Sequence, residues 1–360
     1  MYDDLLDPRI IRLPEFAPGE WLNADQPLSK QSLRGRVVLV DFWDYSCVNC
    51  VRTLPYLVRW YERYAVHGLV IIGIHSPEFA FGQIQQQVKT AVIHHHIPYP
   101  ILLDNDYQNW ERFANKAWPT KYLIDPDGYI RYRWQGEGHY QETERAIQAL
   151  LRQQNPGITL PDPLPLLREE DTPGAVCYRP TPELYAGYRG GGLFGGALGN
   201  PAGYLPDTAV FYDLPEPKTR QPGLFYVEGL WRAWPEALAF AGQSGGKVVL
   251  RYQAVTVNAV LSPTADAVAL RLGLAVGRGG RVVVQQDGRY LDPSNAGSDI
   301  QISANGISFV QINRPHMMQL VRNPFYEQHE LTLIFQSPEM ALYTFTFTTC
   351  VMPQAQHHNS

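Results

Sequence analysis

Cysteine is scarce in this chain: four residues in 360 are too few for a small scaffold stapled by disulfides. Charge is modest, with 30 Lys+Arg against 35 Asp+Glu and a net −5. That balance leaves no basic footprint for nucleic acid and no polybasic anchor for a membrane surface. No stretch approaches the roughly 18 apolar residues of a spanning helix. The opening MYDDLLDPRIIRLPEF is acidic where a secretory signal is basic and lacks an apolar h-region. A cytoplasmic location is therefore the expectation, with a periplasmic or other extracytoplasmic one if a leader was trimmed away. No cofactor or metal is expected. The triple His94-His95-His96 points its side chains in different directions and makes a poor metal site.

Glycine and proline are plentiful, 30 and 29 residues, which signals many turns and a β-rich portion. The length predicts two domains.

The most informative stretch is VVLVDFWDYSCVNCVRTLP, residues 37–55. Its unbroken apolar start reads as a strand buried on both faces. From Val51 onward Leu54, Leu57, Val58 and Tyr61 recur at helical spacing. Cys47 therefore falls at a helix N-terminus, where about half a positive charge and unpaired amides are expected to lower its pKa. Cys50 lies one turn further in. This pairing predicts thiol-disulfide exchange, with Cys47 as nucleophile and Cys50 as resolving thiol. A structural zinc site would need two more ligands at comparable spacing, and Cys177 and Cys350 are isolated.

Strands and helices then alternate. A helix over about 48–66 stops at His67-Gly68, and LVIIGI at 69–74 is a second buried strand ending in His75, Ser76, Pro77 and Glu78. A helix at 83–93, the extended PYPILLD, a short helix near 110–114, a hairpin over 121–134 with Asp-Gly in its turn, and a helix at about 140–153 follow. A short strand is also expected within the lead-in before residue 37.

The DFW-x4-CxxC strand-to-helix stretch, the Trp118-Pro119-Thr120 before the hairpin and the closing helix resemble the thioredoxin fold. The additional helix and strand, over about 76–104, resemble the TlpA-like insertion. DFWDYSCVNC, HSPEFAF at 75–81, LLDNDYQNW and GEGHY at 136–140 are similar to the thioredoxin-like portion of DipZ-type thiol-disulfide interchange proteins, over about residues 15–155. The resemblance implies a cis Pro119 lying against the dithiol. It also implies a buried Asp41 with a raised pKa that accepts the proton of Cys50. Glu78, with His75, is a candidate proton relay, and Trp43, Tyr45, Trp118 and Thr120 are assigned to the substrate groove. Val48-Asn49 replaces the Gly-Pro of thioredoxin and Ser46 replaces its Trp, which alters redox poise. Protein disulfides or dithiols are the implied substrates, with the electron donor left open and reductase the favoured direction.

The expected organisation is a thioredoxin-like α/β domain at 1–154, a Pro-rich linker at 155–172, an all-β jelly-roll sandwich at 173–353 and a tail at 354–360. Short β-branched or alternating runs separated by turn residues carry the β reading. RGGGLFGGALGNPAG is a loop rather than a phosphate cradle. TPELYAGYRG at 181–190 and WRAWPEALAF resemble the carbohydrate-binding-module-like domain that follows the thioredoxin unit in DipZ-type proteins. Trp231, Trp234, Tyr226 and Tyr252 could stack a glycan, but core packing is the more ordinary role for them. Cys177 and Cys350 are read as unrelated thiols of a reducing compartment, although terminal strands of a jelly roll can meet. Two other functions stand beside disulfide exchange. One is a glycan- or protein-binding module with a structural dithiol; the other is a thiol peroxidase, which would want Thr where Asp44 stands.

Overall fold

The computed structural model describes residues 6–190, 196–275 and 279–352. Part of the glycine-rich run, 191–195, and the 354–360 tail lie outside the described residues. The chain divides into two compact units, 1–171 and 172–360.

The first unit runs β1 (Trp21–Leu22), β2 (Val37–Trp43), α1 (Val48–Tyr64), β3 (Leu69–His75), α2 (Gln85–His94), β4 (Ile101–Leu103), α3 (Gln108–Arg112), β5 (Thr120–Ile124), β6 (Ile130–Gln135) and α4 (Tyr140–Gln154). Its sheet has the order β1-β4-β3-β2-β5-β6, with β2 parallel to β3 and antiparallel to β5. All seven residues of β2 are buried, as an apolar run without alternation requires. Each such aliphatic side chain contributes on the order of 2 kcal/mol by leaving water. Helix α1 buries Leu54, Leu57, Trp60 and Tyr64 along one stripe. The chain leaves it through a 3-10 turn ending at Gly68, whose φ of 103° favours a residue without Cβ. The lead-in strand falls at Trp21–Leu22, pairing with β4; the Ser-Lys-Gln-Ser stretch near residue 30 forms turns instead.

Residues 155–171, expected as a linker, lie with the first unit along α1 and α4. Prolines remove amide donors there, and side chains of the helices supply hydrogen bonds in their place. Gln148 Nε2 donates to Pro161 O at 2.8 Å, Leu164 N to Glu144 at 2.9 Å and Leu167 N to Tyr56 Oη at 2.8 Å. Arg168 donates to Asp171 and to the Arg52 carbonyl.

The second unit is all-β and forms a β-sandwich. It begins with β7 (Val176–Cys177), β8 (Leu184–Tyr185), β9 (Ala209–Tyr212), β10 (Phe225–Ala233), β11 (Leu238–Phe240) and β12 (Gly246–Ser262). After the short helix α5 (Ala267–Arg271) come β13 (Gly280–Gln286), β14 (Arg289–Tyr290), β15 (Gln301–Ile302), β16 (Ser308–Ile312), β17 (His316–Phe335), β18 (Ala341–Thr348) and β19 (Cys350–Val351). Strand β12 pairs with β10 up to Leu250 and with β18 from Thr256, while β17 follows it along its length. The change of partner coincides with register shifts near Ala254 and Val257. Bulges there bend the long strands, so one ladder wraps a single core. HMMQLVRN and HELTLIFQ, which read as two strands, are one. Asn323 to Tyr326 lie between paired Arg322 and Glu327, so Pro324 sits where no ladder amide is needed.

The aromatics are core, the more ordinary of their two expected roles: Trp231, Tyr226 and Tyr252 are at most 3% exposed, and Trp234 is half-buried. One expectation fails in this unit. The cysteines are not separate thiols: Cys177 and Cys350 form a disulfide between register partners of the two-stranded β7/β19 ladder. The sequence reading failed because the ladder joins segments 173 residues apart. Replacing both cysteines by Ser should lower the unit's stability by about 2–5 kcal/mol, read as a fall in Tm without reductant. An unchanged Tm would show that the clasp contributes nothing.

Candidate active site

Strand β2 ends at Trp43, and four residues later Cys47 caps α1. Cys47 has extended backbone angles, and its Sγ accepts the Cys50 N–H at 3.3 Å, so the sulfur fills the place of a capping oxygen. The Cys50 Sγ lies 2.6 Å from the Cys47 Sγ, unbonded. Cys47 is partly exposed and Cys50 is buried. One sulfur can meet an incoming disulfide while the other waits behind it.

The electrostatics differ from the expectation for a helix N-terminus. Burial pushes the Cys47 thiol above its ordinary range, and the negative charges of Glu78 and Asp44 add to this, against the lowering by hydrogen bonds from Cys50. The dipole end is worth about 0.3–1 kcal/mol and is outweighed by desolvation and two carboxylates. Cys50 is held higher still, by burial and then by its neighbour Cys47.

Asp41, 1% exposed, lies opposite Gly73 of β3 and Lys121 of β5. A Cβ at Gly73 would come 2.5 Å from Ile101 and 3.0 Å from Trp43 Nε1, so glycine lets the strands close here. Burial raises Asp41 to about 7, and Lys121 partly opposes it. Lys121 is fully buried; its Nζ donates to Gly136 O at 3.3 Å. Burial lowers its pKa, against the pull of Asp41, Cys50 and Glu137. Sequence reasoning missed this residue. The signal was a lysine two places after Pro119, inside an otherwise uncharged strand.

His75 ends β3 fully buried, with its ring stacked on Tyr45 and Nε2 3.4 Å from Asp44. It therefore meets the carboxylate of Asp44, while Glu78 is half-buried and acts on Cys47 electrostatically. The Trp118-Pro119 bond is cis. Pro119 is buried directly before β5, and Trp118 is half-buried. Trp43, Tyr45 and Thr120 are at most 3% exposed and cannot line an open groove. Trp43 packs edge-on against His75, and Thr120 Oγ1 donates to Ala117 O at 2.7 Å. Of the four groove candidates, only Trp118 offers surface.

This sheet order, with a CxxC at the head of the helix after the central strand and a cis proline opening the next strand of the hairpin, defines a thioredoxin-like domain. Residues 12–133 match the AhpC/TSA family and residues 181–348 the thioredoxin-like C-terminal domain family. Protein DipZ of Mycobacterium tuberculosis is 36% identical over 261 residues, covering 70% of this chain and 35% of DipZ. This chain thus spans about a third of that relative's length. The thiol-disulfide oxidoreductase YkuV of Bacillus subtilis is 26% identical over 39% of this chain and 93% of its own. A thioredoxin-family thiol:disulfide interchange protein of Chlorobium tepidum, whose structure is solved, is 22% identical with a TM-score of 0.35, over 40% of this chain and 99% of its own. Among the described residues no helix is long and apolar enough to cross a membrane.

Asp41 also makes stability depend on pH. Its folded pKa of about 7 lies above the ordinary 3.8, so the folded state keeps a proton that the unfolded chain releases. Stability from this group is complete below pH ~4 and is lost as pH rises through about 7. The difference bounds the loss at roughly 4 kcal/mol. Asp41→Asn should remove it, so that variant and wild type diverge in urea unfolding between pH 4 and 8, the wild type weakening. Parallel profiles would place the Asp41 carboxyl in an ordinary environment.

Proposed function

We propose that the chain is a thiol-disulfide oxidoreductase acting on protein disulfides, with reduction its favoured direction. The observation that carries this is the sulfur geometry: a partly exposed Cys47 with the buried Cys50 Sγ 2.6 Å behind it. The Cys47 thiolate attacks one sulfur of the substrate disulfide, forming a mixed disulfide and releasing the other sulfur, which takes up a proton. Cys50 then loses its proton, for which a carboxylate of pKa about 7 at Asp41 is a suited acceptor, and attacks the Cys47 Sγ. The second substrate thiol leaves, and two electrons have passed from the dithiol to the substrate. A donor dithiol must restore Cys47 and Cys50. Trp118 and the cis Pro119 edge the surface the substrate chain would meet.

The electrostatics support the reducing direction. A site that disfavours the Cys47 thiolate destabilises the reduced form and makes the couple more reducing; strong oxidants stabilise theirs. The Cys177–Cys350 disulfide supports an oxidising, extracytoplasmic compartment over the cytoplasm. Asp44, hydrogen-bonded to Ser46 and Glu78, occupies the place where a thiol peroxidase would need Thr. A glycan-binding reading loses Trp231, Tyr226 and Tyr252 to the core.

Reduction of insulin by dithiothreitol, followed as turbidity, tests the proposal. Wild-type protein should accelerate precipitation severalfold, and Cys47→Ser should fall to the uncatalysed rate. Equal rates for the two proteins would leave the dithiol a structural role only.

A further inference from the structure

Asp44 is a fully buried carboxylate that the exchange steps do not use. Burying an acid is costly unless each oxygen is satisfied, and its contacts tie together three segments. Its Oδ1 accepts the Ser46 N–H at 2.6 Å and the Ser46 hydroxyl. Its Oδ2 accepts the Glu78 N–H at 3.1 Å and stands 3.4 Å from His75 Nε2. Its backbone carbonyl accepts the Cys47 N–H at 3.3 Å. One side chain thus joins the turn before the nucleophile, the end of β3 and the start of the inserted segment. Packing leaves it little freedom: a Cβ at Gly82 would sit 3.3 Å from Oδ2, and Tyr45 is stacked on the His75 ring.

We propose that Asp44 is a positioning residue for Cys47: its carboxylate pins the 44–47 turn, the Glu78 segment and the His75 ring to one another, and fixes the negative field against which the sulfur must ionise. The inference rests on the thiol-disulfide reading for its purpose, but not for its test. The charged and titratable groups facing Cys47 are Glu78, Asp44 and Cys50; those facing His75 are Asp44 and Asp104. The two carboxylates near Cys47 act in the same sense, and Asp44 is the one that also holds the other in place, through the Glu78 amide.

The test reads the Cys47 thiolate directly, as the pH dependence of alkylation of the fully reduced protein by iodoacetamide. Asp44→Asn keeps the size and removes the charge. The alkylation midpoint should fall, making the reaction near neutral pH about twofold faster. Asp44→Ser, smaller and also neutral, carries the same expectation should the Asn variant not fold. A role confined to structure would lower Tm with the midpoint unmoved, and that result in a folded neutral variant would overturn the proposal. Because alkylation needs no disulfide substrate, a protein inactive on insulin with a lowered midpoint in Asp44→Asn would defeat the proposed function and leave this inference standing.

Discussion

The first unit depends on a single costly arrangement: an acid and a lysine facing each other across two strands of a dry sheet. Asp41 and Lys121 are register partners in β2 and β5, each at most 1% exposed. Each is costly to bury, because an unpaired buried charge costs several kcal/mol. Placed together, each opposes the effect of burial on the other, holding Asp41 at about 7 rather than higher. β2, buried on both faces, holds the pair at fixed separation, and the same strand delivers Cys47 to α1 four residues beyond Trp43. The buried acid and the dithiol are therefore positioned by one rigid element, which is what a site with tight geometric demands requires.

The Cys47 sulfur is governed by competition between a helix end on one side and desolvation with a carboxylate field on the other. A full charge at short range in an effective dielectric near 20 is worth on the order of a few kcal/mol, against about 0.3–1 kcal/mol for the helix terminus. Desolvation, and after it the charges of Glu78 and Asp44, decide the sign. The sequence motif specifies the attacking sulfur and leaves its affinity for a proton to residues brought from the end of β3 and the turn before the helix.

That division explains what could be read from the chain. The order of strands and helices in the first unit was legible because it follows from local periodicity, and Cys47 and Cys50 because a CxxC after a buried strand is a local pattern. Lys121 was hidden, since its importance comes from register with Asp41 and not from its neighbours in sequence. The groove assignments of Trp43, Tyr45 and Thr120 failed for a related reason: closeness to the dithiol along the chain says nothing about which face of a strand points to solvent. In the second unit Asn323-Pro324 falls inside one long strand, His316–Phe335. A bulge of this kind is visible only once β12 supplies the partner.

The chain holds two cysteine pairs in opposite states, and the physics of loop closure shows why these states are compatible. Cys177 and Cys350 are 173 residues apart, so linking them removes a large amount of freedom from the unfolded chain. Folding of the sandwich in turn places both sulfurs in register on one short ladder. Bond and fold therefore stabilise each other, and reduction must act against the stability of the unit. Cys47 and Cys50, three residues apart, constrain almost nothing when joined. Their couple is set instead by the ionisation of two sulfurs, disfavoured by burial first and then by the carboxylates of Glu78, Asp44 and Asp41. A single environment can accordingly leave the distant pair oxidised and let the adjacent pair cycle, because chain entropy and fold stability control the first while local charge controls the second.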